Sequence, residues 1–174
     1  MSKKNISKKK SKLPPKSEAL AALIVQIFDD IPYPGDDNLV IIQGECDLER
    51  QEIFDTFVGK HWKTLSRRTL DYNHQSLFFF TPAAYRFYLP AYLKACVLSY
   101  NKAGNIPGSV IVSLTPPEEP GDEMDSFLAK MGGFNADQKA AIFSFLDFFV
   151  VEHSEDFPAY NLESVLDRYW LQFK

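Results

Sequence analysis

The segment that decides the fold is residues 81–95, TPAAYRFYLPAYLKA. It begins as a helix should, because Thr81 is a suitable N-cap and Pro82 is favoured at the first helical position. The following two turns are almost wholly apolar, so this helix has little polar surface for water and must lie inside the fold. Pro90 interrupts the pattern, since proline has no N–H and leaves the carbonyl of Arg86 without its usual donor. We expect a buried, proline-containing central helix over 81–103.

Apolar periodicity predicts that other helices surround the central one. Residues 20–31 place apolar side chains at i, i+3, i+4, i+7, i+8 and i+11, which predicts a helix over 17–31. Further helical patterns lie at 47–58, 64–71, 125–131, 135–153 and 161–172. Asp47 is a plausible N-cap, and Asn135 with Gln138 forms a capping-box signature. The fold class is therefore mainly α, a single compact helical domain around the central helix.

Two segments leave the secondary structure open. Residues 77–80 are too short to assign as helix or strand. Within 106–114, Val110, Ile111 and Val112 favour a strand by propensity, although no pairing partner is evident nearby. These segments leave room for one short strand pair in an otherwise helical domain.

Charge divides the chain into two parts. Residues 1–16 contain seven lysines and no acid, whereas residues 17–174 hold the other 12 basic residues and all 23 acidic ones, a formal charge of −11. This division predicts a disordered lysine-rich tail over 1–16 and a single domain over 17–174. The tail could fold back on the acidic domain or contact nucleic acid, while the acidic domain itself favours a basic protein as partner.

The cysteines and the first apolar segment indicate the cellular compartment of the protein. Cys46 and Cys96 show no spacing typical of a disulfide framework or a zinc site, which favours a reducing cytoplasm. Lysines followed by the apolar residues 19–25 resemble a signal peptide, but acidic residues follow where small residues should permit cleavage. No apolar run reaches the roughly 18 residues that are needed to span a bilayer. We expect a cytoplasmic protein without a membrane span.

Motifs that carry chemistry are missing from the sequence. His61, His74 and His153 do not have the spacing of metal ligands. No nucleophile elbow, P-loop or glycine-rich dinucleotide motif is found, and Cys96 falls on the apolar face of the central helix. The sequence therefore predicts no catalytic residues, no metal site and no cofactor, and we expect a protein that is not an enzyme.

One set of tyrosines has two interpretations. Tyr85, Tyr88 and Tyr92 fall at i, i+3 and i+7 and form a ladder on one face of the central helix. Their rings either pack in the core, with the hydroxyls reaching a loop or the carbonyl freed by Pro90, or line a pocket for a ligand. Trp62 and Arg86 are the other residues that we expect to line such a pocket or to contact a partner.

Four segments carry a resemblance to a known family, residues 50–53, 59–62, 80–93 and 138–146, and the most specific element is the Tyr-Leu-Pro-Ala core motif at 88–91. On these residues the sequence resembles an uncharacterised family of small bacterial proteins that is known only as a domain of unknown function. The resemblance covers about residues 18–172. It implies a compact, helical bacterial domain with no assigned activity. Small acidic proteins of this kind often bind other proteins, and some are immunity proteins for toxins.

The resulting hypothesis is a non-enzymatic domain that binds another protein, with an immunity or regulatory role toward a basic partner. One alternative is a nucleic-acid-associated protein that uses residues 1–16. A second alternative is a small-ligand binder or enzyme with a pocket near the tyrosines and Trp62.

Overall fold

A computed structural model describes residues 15–41 and 48–174. The segment 81–95 forms the start of a long helix, Pro82–Ser99, and the Thr81 hydroxyl accepts a hydrogen bond from the Ala84 N–H at 3.1 Å. Pro82 occupies the first turn and Pro90 lies in the interior of the helix, as predicted. Most of the helix is buried, so the expected central helix is confirmed.

The described residues contain nine α-helices: α1 Lys16–Ile27, α2 Leu48–Phe57, α3 Arg67–Tyr72, α4 Ser76–Phe79, α5 Pro82–Ser99, α6 Ile106–Leu114, α7 Asp122–Gly132, α8 Ala136–His153 and α9 Leu162–Arg168. Short 3-10 helices lie at Asp36–Asn38, Trp62–Thr64, Tyr100–Lys102, Ser154–Asp156 and Trp170–Phe173. The mainly helical fold class is confirmed, and the helices share one hydrophobic core.

The central helix α5 organises the packing. It contacts α1, α3, α6 and α7, together with the 3-10 helix Trp62–Thr64. The second long helix, α8, packs instead on α1, α9 and the 3-10 helix Trp170–Phe173. Its capping box is present, because Gln138 N–H donates to the Asn135 side chain at 2.9 Å and Asn135 N–H donates to the Gln138 side chain at 3.0 Å. α1 therefore joins the two long helices, since it contacts both.

Residues 106–114 form helix α6, so the strand that propensity favoured there is wrong. Val110 and Ile111 are fully buried, and apolar contacts with α5 and α4 outweigh the small intrinsic preference of β-branched residues for strands. Residues 77–80 contribute most of α4, and Phe80 forms an isolated antiparallel bridge with Val40. Within 15–41 and 48–174 that bridge takes the place of the predicted strand pair.

Several helix boundaries differ from the predicted ones. α1 ends at Ile27 rather than near 31, and α7 begins at Asp122, three residues early. The predicted last helix is divided into α9 and a 3-10 helix, with Tyr169 between them. The expected N-cap Asp47 and the thiol of Cys46 lie outside the described residues, as does most of the predicted tail.

None of the helices within 15–41 and 48–174 combines the length and the apolar character that crossing a membrane requires.

Candidate functional site

The three tyrosines of α5 lie in the core. The side chains of Tyr85, Tyr88 and Tyr92 are fully buried, and burial raises the pKa of each hydroxyl above its ordinary value. A tyrosine hydroxyl is already neutral and able to donate at neutral pH, and the raised pKa extends that neutral form to more alkaline pH. None of these rings borders the cavities that Trp62 and Arg86 line, and the arrangement corresponds to the core-packing interpretation.

Tyr88 holds the C-terminal end of α2. Its hydroxyl lies 2.8 Å from the carbonyl oxygen of Phe57 and 2.9 Å from that of Lys60. Phe57 is the last residue of α2, and Gly59 turns the chain there with a φ of 65°, a conformation that favours glycine. The ring of Tyr88 also packs edge-on against that of Phe57, with centroids 4.9 Å apart. Tyr88 therefore supplies a donor to the last carbonyl of α2 and to the Lys60 carbonyl just beyond the helix.

Tyr92 and Tyr85 make the corresponding links to two other segments. The Tyr92 hydroxyl donates to the carbonyl of Asn73, which follows α3, at 2.8 Å. The Tyr85 hydroxyl lies 3.0 Å from the hydroxyl of Ser113 on α6. The tyrosine ladder thus ties α5 to three separate parts of the chain, and none of its hydroxyls contacts the carbonyl of Arg86 among the bonds described here.

Trp62 borders a small cavity between the 3-10 helix Trp62–Thr64, α3 and α5. This Trp62 cavity has a volume of about 200 Å³. The lining includes the half-buried cations Arg67 and Lys94 and the small side chains of Ala91 and Ala95. Of the five predicted site residues, Trp62 is therefore placed at a cavity, although the three tyrosines do not line it.

Arg86 lies in a different place, an open groove of about 710 Å³ between α1, α5 and the start of α8. A side chain at Gly133 would collide with the Arg86 guanidinium, so glycine leaves the space that the guanidinium occupies. Asp30 and Asp137 also line this Arg86 groove, yet neither forms an ion pair with Arg86. The structure separates Arg86 from Trp62 and so does not bring the predicted site residues together.

A surface that sequence reasoning missed lies where α3 ends beside α2. The ring of Tyr72 is 77 % exposed, and its hydroxyl donates to the Glu52 carboxylate at 3.3 Å. Glu49 and Glu52 line a cleft of about 170 Å³ together with Tyr72. Leu48 precedes Glu49 on α2 and is 80 % exposed. We call Leu48, Glu49, Glu52 and Tyr72 the acidic-aromatic surface.

The histidines lie in three separate environments. The His61 ring accepts a hydrogen bond from the Lys63 N–H, the His74 ring is 2.7 Å from the Ser109 hydroxyl, and the His153 ring stacks on Tyr100. No cluster of three or more His, Cys, Asp or Glu side chains suited to a metal ion occurs in the part of the chain that the structure describes.

The free thiol of Cys96 is fully buried, and burial raises its pKa well above the ordinary value. A thiol with a raised pKa is a poor nucleophile, because the thiolate is the reactive form.

A model of a protein family described as a family of unknown function, DUF6714, matches residues 45–174. The chain belongs to this family. The DUF6714 match contains α2 to α9, and with them the Trp62 cavity and the acidic-aromatic surface. It starts at residue 45, whereas the resemblance drawn from the sequence started near 18, so α1 and one wall of the Arg86 groove lie outside it. No curated protein and no solved structure matches this DUF6714 chain.

Proposed function

We propose that this DUF6714 protein is a non-enzymatic domain that binds a basic protein through the acidic-aromatic surface. The observation that carries the proposal is the Tyr72 ring, a large aromatic group that is mostly exposed and whose hydroxyl is held by the Glu52 carboxylate. Tyrosine is enriched among the residues that dominate binding energy at protein interfaces. A tyrosine whose hydroxyl is already positioned loses less conformational freedom on binding than a mobile one.

Charge supports a basic partner. Glu49 and Glu52 present two carboxylates beside the ring, and the domain from residue 17 onward carries a formal charge of −11. Arg50 lies on the same helix, but its guanidinium is above the Phe79 ring, 5.1 Å from the centroid. Long-range attraction would speed the encounter with a cationic protein, while the carboxylates beside Tyr72 would orient it.

The exposed side chain of Leu48 adds apolar area next to the carboxylates. An apolar residue and an aromatic ring within a charged rim correspond to the usual anatomy of a protein interface. An immunity or regulatory role toward the basic partner is the finer form of the proposal, and it rests on the resemblance to small acidic bacterial proteins. A cytoplasmic location is part of the proposal, and the free thiol of Cys96 fits a reducing compartment.

The test is affinity capture from the lysate of the host at low salt, with the immobilised full chain as bait. The informative variant combines Glu49→Gln, Glu52→Gln and Tyr72→Ala. The control is Tyr160→Ala, which removes another exposed tyrosine, at a distance along the chain from this surface. We expect a basic protein that the wild type and the control retain and that the triple variant loses.

Identical captured proteins for the triple variant and the wild type would contradict the proposal. So would the absence of any captured protein at low salt. All the substituted side chains are at the surface and none belongs to the core cluster, so we expect every bait to fold. Thermal unfolding of each bait checks that a loss of capture does not come from a loss of folding.

A further inference from the structure

The guanidinium of Arg86 lies at the wall of the Arg86 groove. The Arg86 side chain is half-buried, and it forms neither an ion pair nor a hydrogen bond with any residue that the structure describes. A guanidinium carries five N–H donors in a planar fork whose geometry matches a carboxylate. The fork of Arg86 is therefore available to an anion that enters the groove.

Gly133 determines where this guanidinium lies. Arg86 and Gly133 both line the groove, and a Cβ at Gly133 would collide with the Nε, Cζ and Nη1 atoms of Arg86. The guanidinium thus occupies the space that the absent side chain leaves, between the end of α7 and the start of α8. The backbone does not require glycine here, because the φ of −87° suits other residues as well. What glycine permits at this position is the close approach of the guanidinium.

Two carboxylates border the same groove. Asp30 follows α1, Asp137 lies in the first turn of α8, and both side chains are exposed. Neither carboxylate forms an ion pair with Arg86 or with any other cation in the part of the chain that the structure describes. The groove therefore presents one positive and two negative charges at separate points. A ligand with one carboxylate and several cationic groups has the complementary charges.

The size and the remaining walls of the groove suit a peptide. Ile27, Ile31 and Pro34 contribute apolar surface. Gln26 and Asn38 carry side-chain amides, which match the donor and the acceptor of a peptide bond. At about 30 Å³ for each water-sized group, a groove of about 710 Å³ holds about 24 such groups, which is more than a free amino acid fills.

We propose that the Arg86 groove binds the C-terminal end of a short basic peptide. The Arg86 guanidinium donates two N–H groups to the terminal carboxylate, because a planar fork and a carboxylate pair in a bidentate manner. Cationic groups of the peptide pair with Asp30 and Asp137. Their aliphatic stems pack on Ile27 and Ile31. The groove shares no residue with the acidic-aromatic surface, and neither proposal depends on the other.

The test titrates the dipeptide lysyl-lysine into the ¹⁵N-labelled full chain and follows the Gly133 amide and the Arg86 Nε–H by NMR. We expect both signals to shift in a saturable manner, while the indole N–H of Trp170, which lies outside the groove, stays in place. The matched ligand is lysyl-lysine amide, which lacks the carboxylate and carries one more net positive charge. Attraction by the acidic domain alone would make the amide bind more tightly, whereas recognition of the carboxylate makes it bind about tenfold more weakly or worse.

Two alanine variants test the position of the guanidinium while every charge is kept. Gly133→Ala should displace the guanidinium and weaken the binding of lysyl-lysine toward the affinity of Arg86→Gln. Gly132→Ala is the matched control, because a Cβ at Gly132 would meet no atom of a neighbouring segment, and it should leave the affinity unchanged. Arg86→Gln should weaken binding about tenfold or more, although it makes the domain more acidic.

Three results would overturn the proposal. The first is an amide that binds the wild type as tightly as lysyl-lysine, or Gly133 and Arg86 signals that do not move, and neither observation needs a variant. The second is equal affinity for Gly133→Ala and Gly132→Ala, which would show that the guanidinium does not hold the ligand. The third is free lysine that binds as well as lysyl-lysine, which would replace the peptide with an amino acid.

Discussion

The hydroxyl of Tyr88 offers a sharp test of how α5 holds the surrounding chain. Tyr88→Phe removes one oxygen and keeps the ring, which stacks on Phe80 with centroids 5.1 Å apart. The Phe57 carbonyl keeps a second donor, the Lys60 N–H at 3.1 Å. The Lys60 carbonyl loses the donor that Tyr88 supplies at 2.9 Å, in a partly buried position. Tyr88→Phe therefore removes the donor of the Lys60 carbonyl, whereas the Phe57 carbonyl keeps the Lys60 N–H.

The expected loss in the free energy of unfolding follows from this difference. Leaving one partly buried acceptor unsatisfied costs about 1–2 kcal/mol, the lower part of the range for fully buried groups. For a domain of this size the melting temperature should fall by about 2–8 °C. The matched control is Tyr72→Phe, which removes a hydroxyl from an exposed ring and should change stability by less than about 0.5 kcal/mol.

The assay is urea unfolding of both variants and the wild type, followed by circular dichroism. A change in the midpoint at constant slope reports stability alone. If Tyr88→Phe were as stable as Tyr72→Phe, the hydroxyl would not hold the end of α2, and the role assigned to the tyrosine ladder would be wrong.

Three other predictions concern the core and the tail. Tyr92→Ala should lower the free energy of unfolding in urea by about 3–5 kcal/mol, because the ring is fully buried. Tyr92→Phe should lower it less, since the Asn73 carbonyl also accepts the Ser76 N–H. The free energy of unfolding should fall as the pH rises above about 10. In this range the tyrosines of the unfolded chain release protons, whereas burial keeps the pKa of the folded ones higher. The expected slope is up to about 1.4 kcal/mol per pH unit for each tyrosine of the ladder. A flat profile between pH 10 and 11 would contradict the burial of these hydroxyls. Deletion of residues 1–14 spares the start of α1 and should leave capture of the protein partner intact. If the lysines bind nucleic acid, the same deletion should abolish retention of the protein on DNA or RNA.

Local signals explain which parts of the fold could be predicted from the sequence. Thr81 and Pro82 determine the start of α5, and Asn135 with Gln138 determines the start of α8, because capping acts within one turn of the chain. The burial of α5 was also predictable, because its nearly continuous run of apolar residues is a local property of the sequence. The helix α6 was missed because Val110 and its neighbours have a weak preference for strands, and tertiary packing overrode that preference.

Candidate sites were less predictable, because they depend on which distant segments meet. Trp62 and Arg86 were expected at one place, yet they border two different cavities on separate parts of the fold. Tyr72 gave no signal of its own, since its role depends on α3 bringing it beside Glu52, 20 residues earlier in the chain. The hydroxyl partners of the tyrosine ladder likewise lie in segments that the sequence does not connect to α5.

The most direct measurement of the central claim is the dissociation constant of the captured protein as a function of salt, by calorimetry with purified components. The account predicts that binding weakens as the salt concentration rises, and that Tyr72→Ala weakens it by about 30-fold, the cost of about 2 kcal/mol that defines a dominant interface residue. A dissociation constant that is independent of salt and the same for wild type and Tyr72→Ala would contradict it.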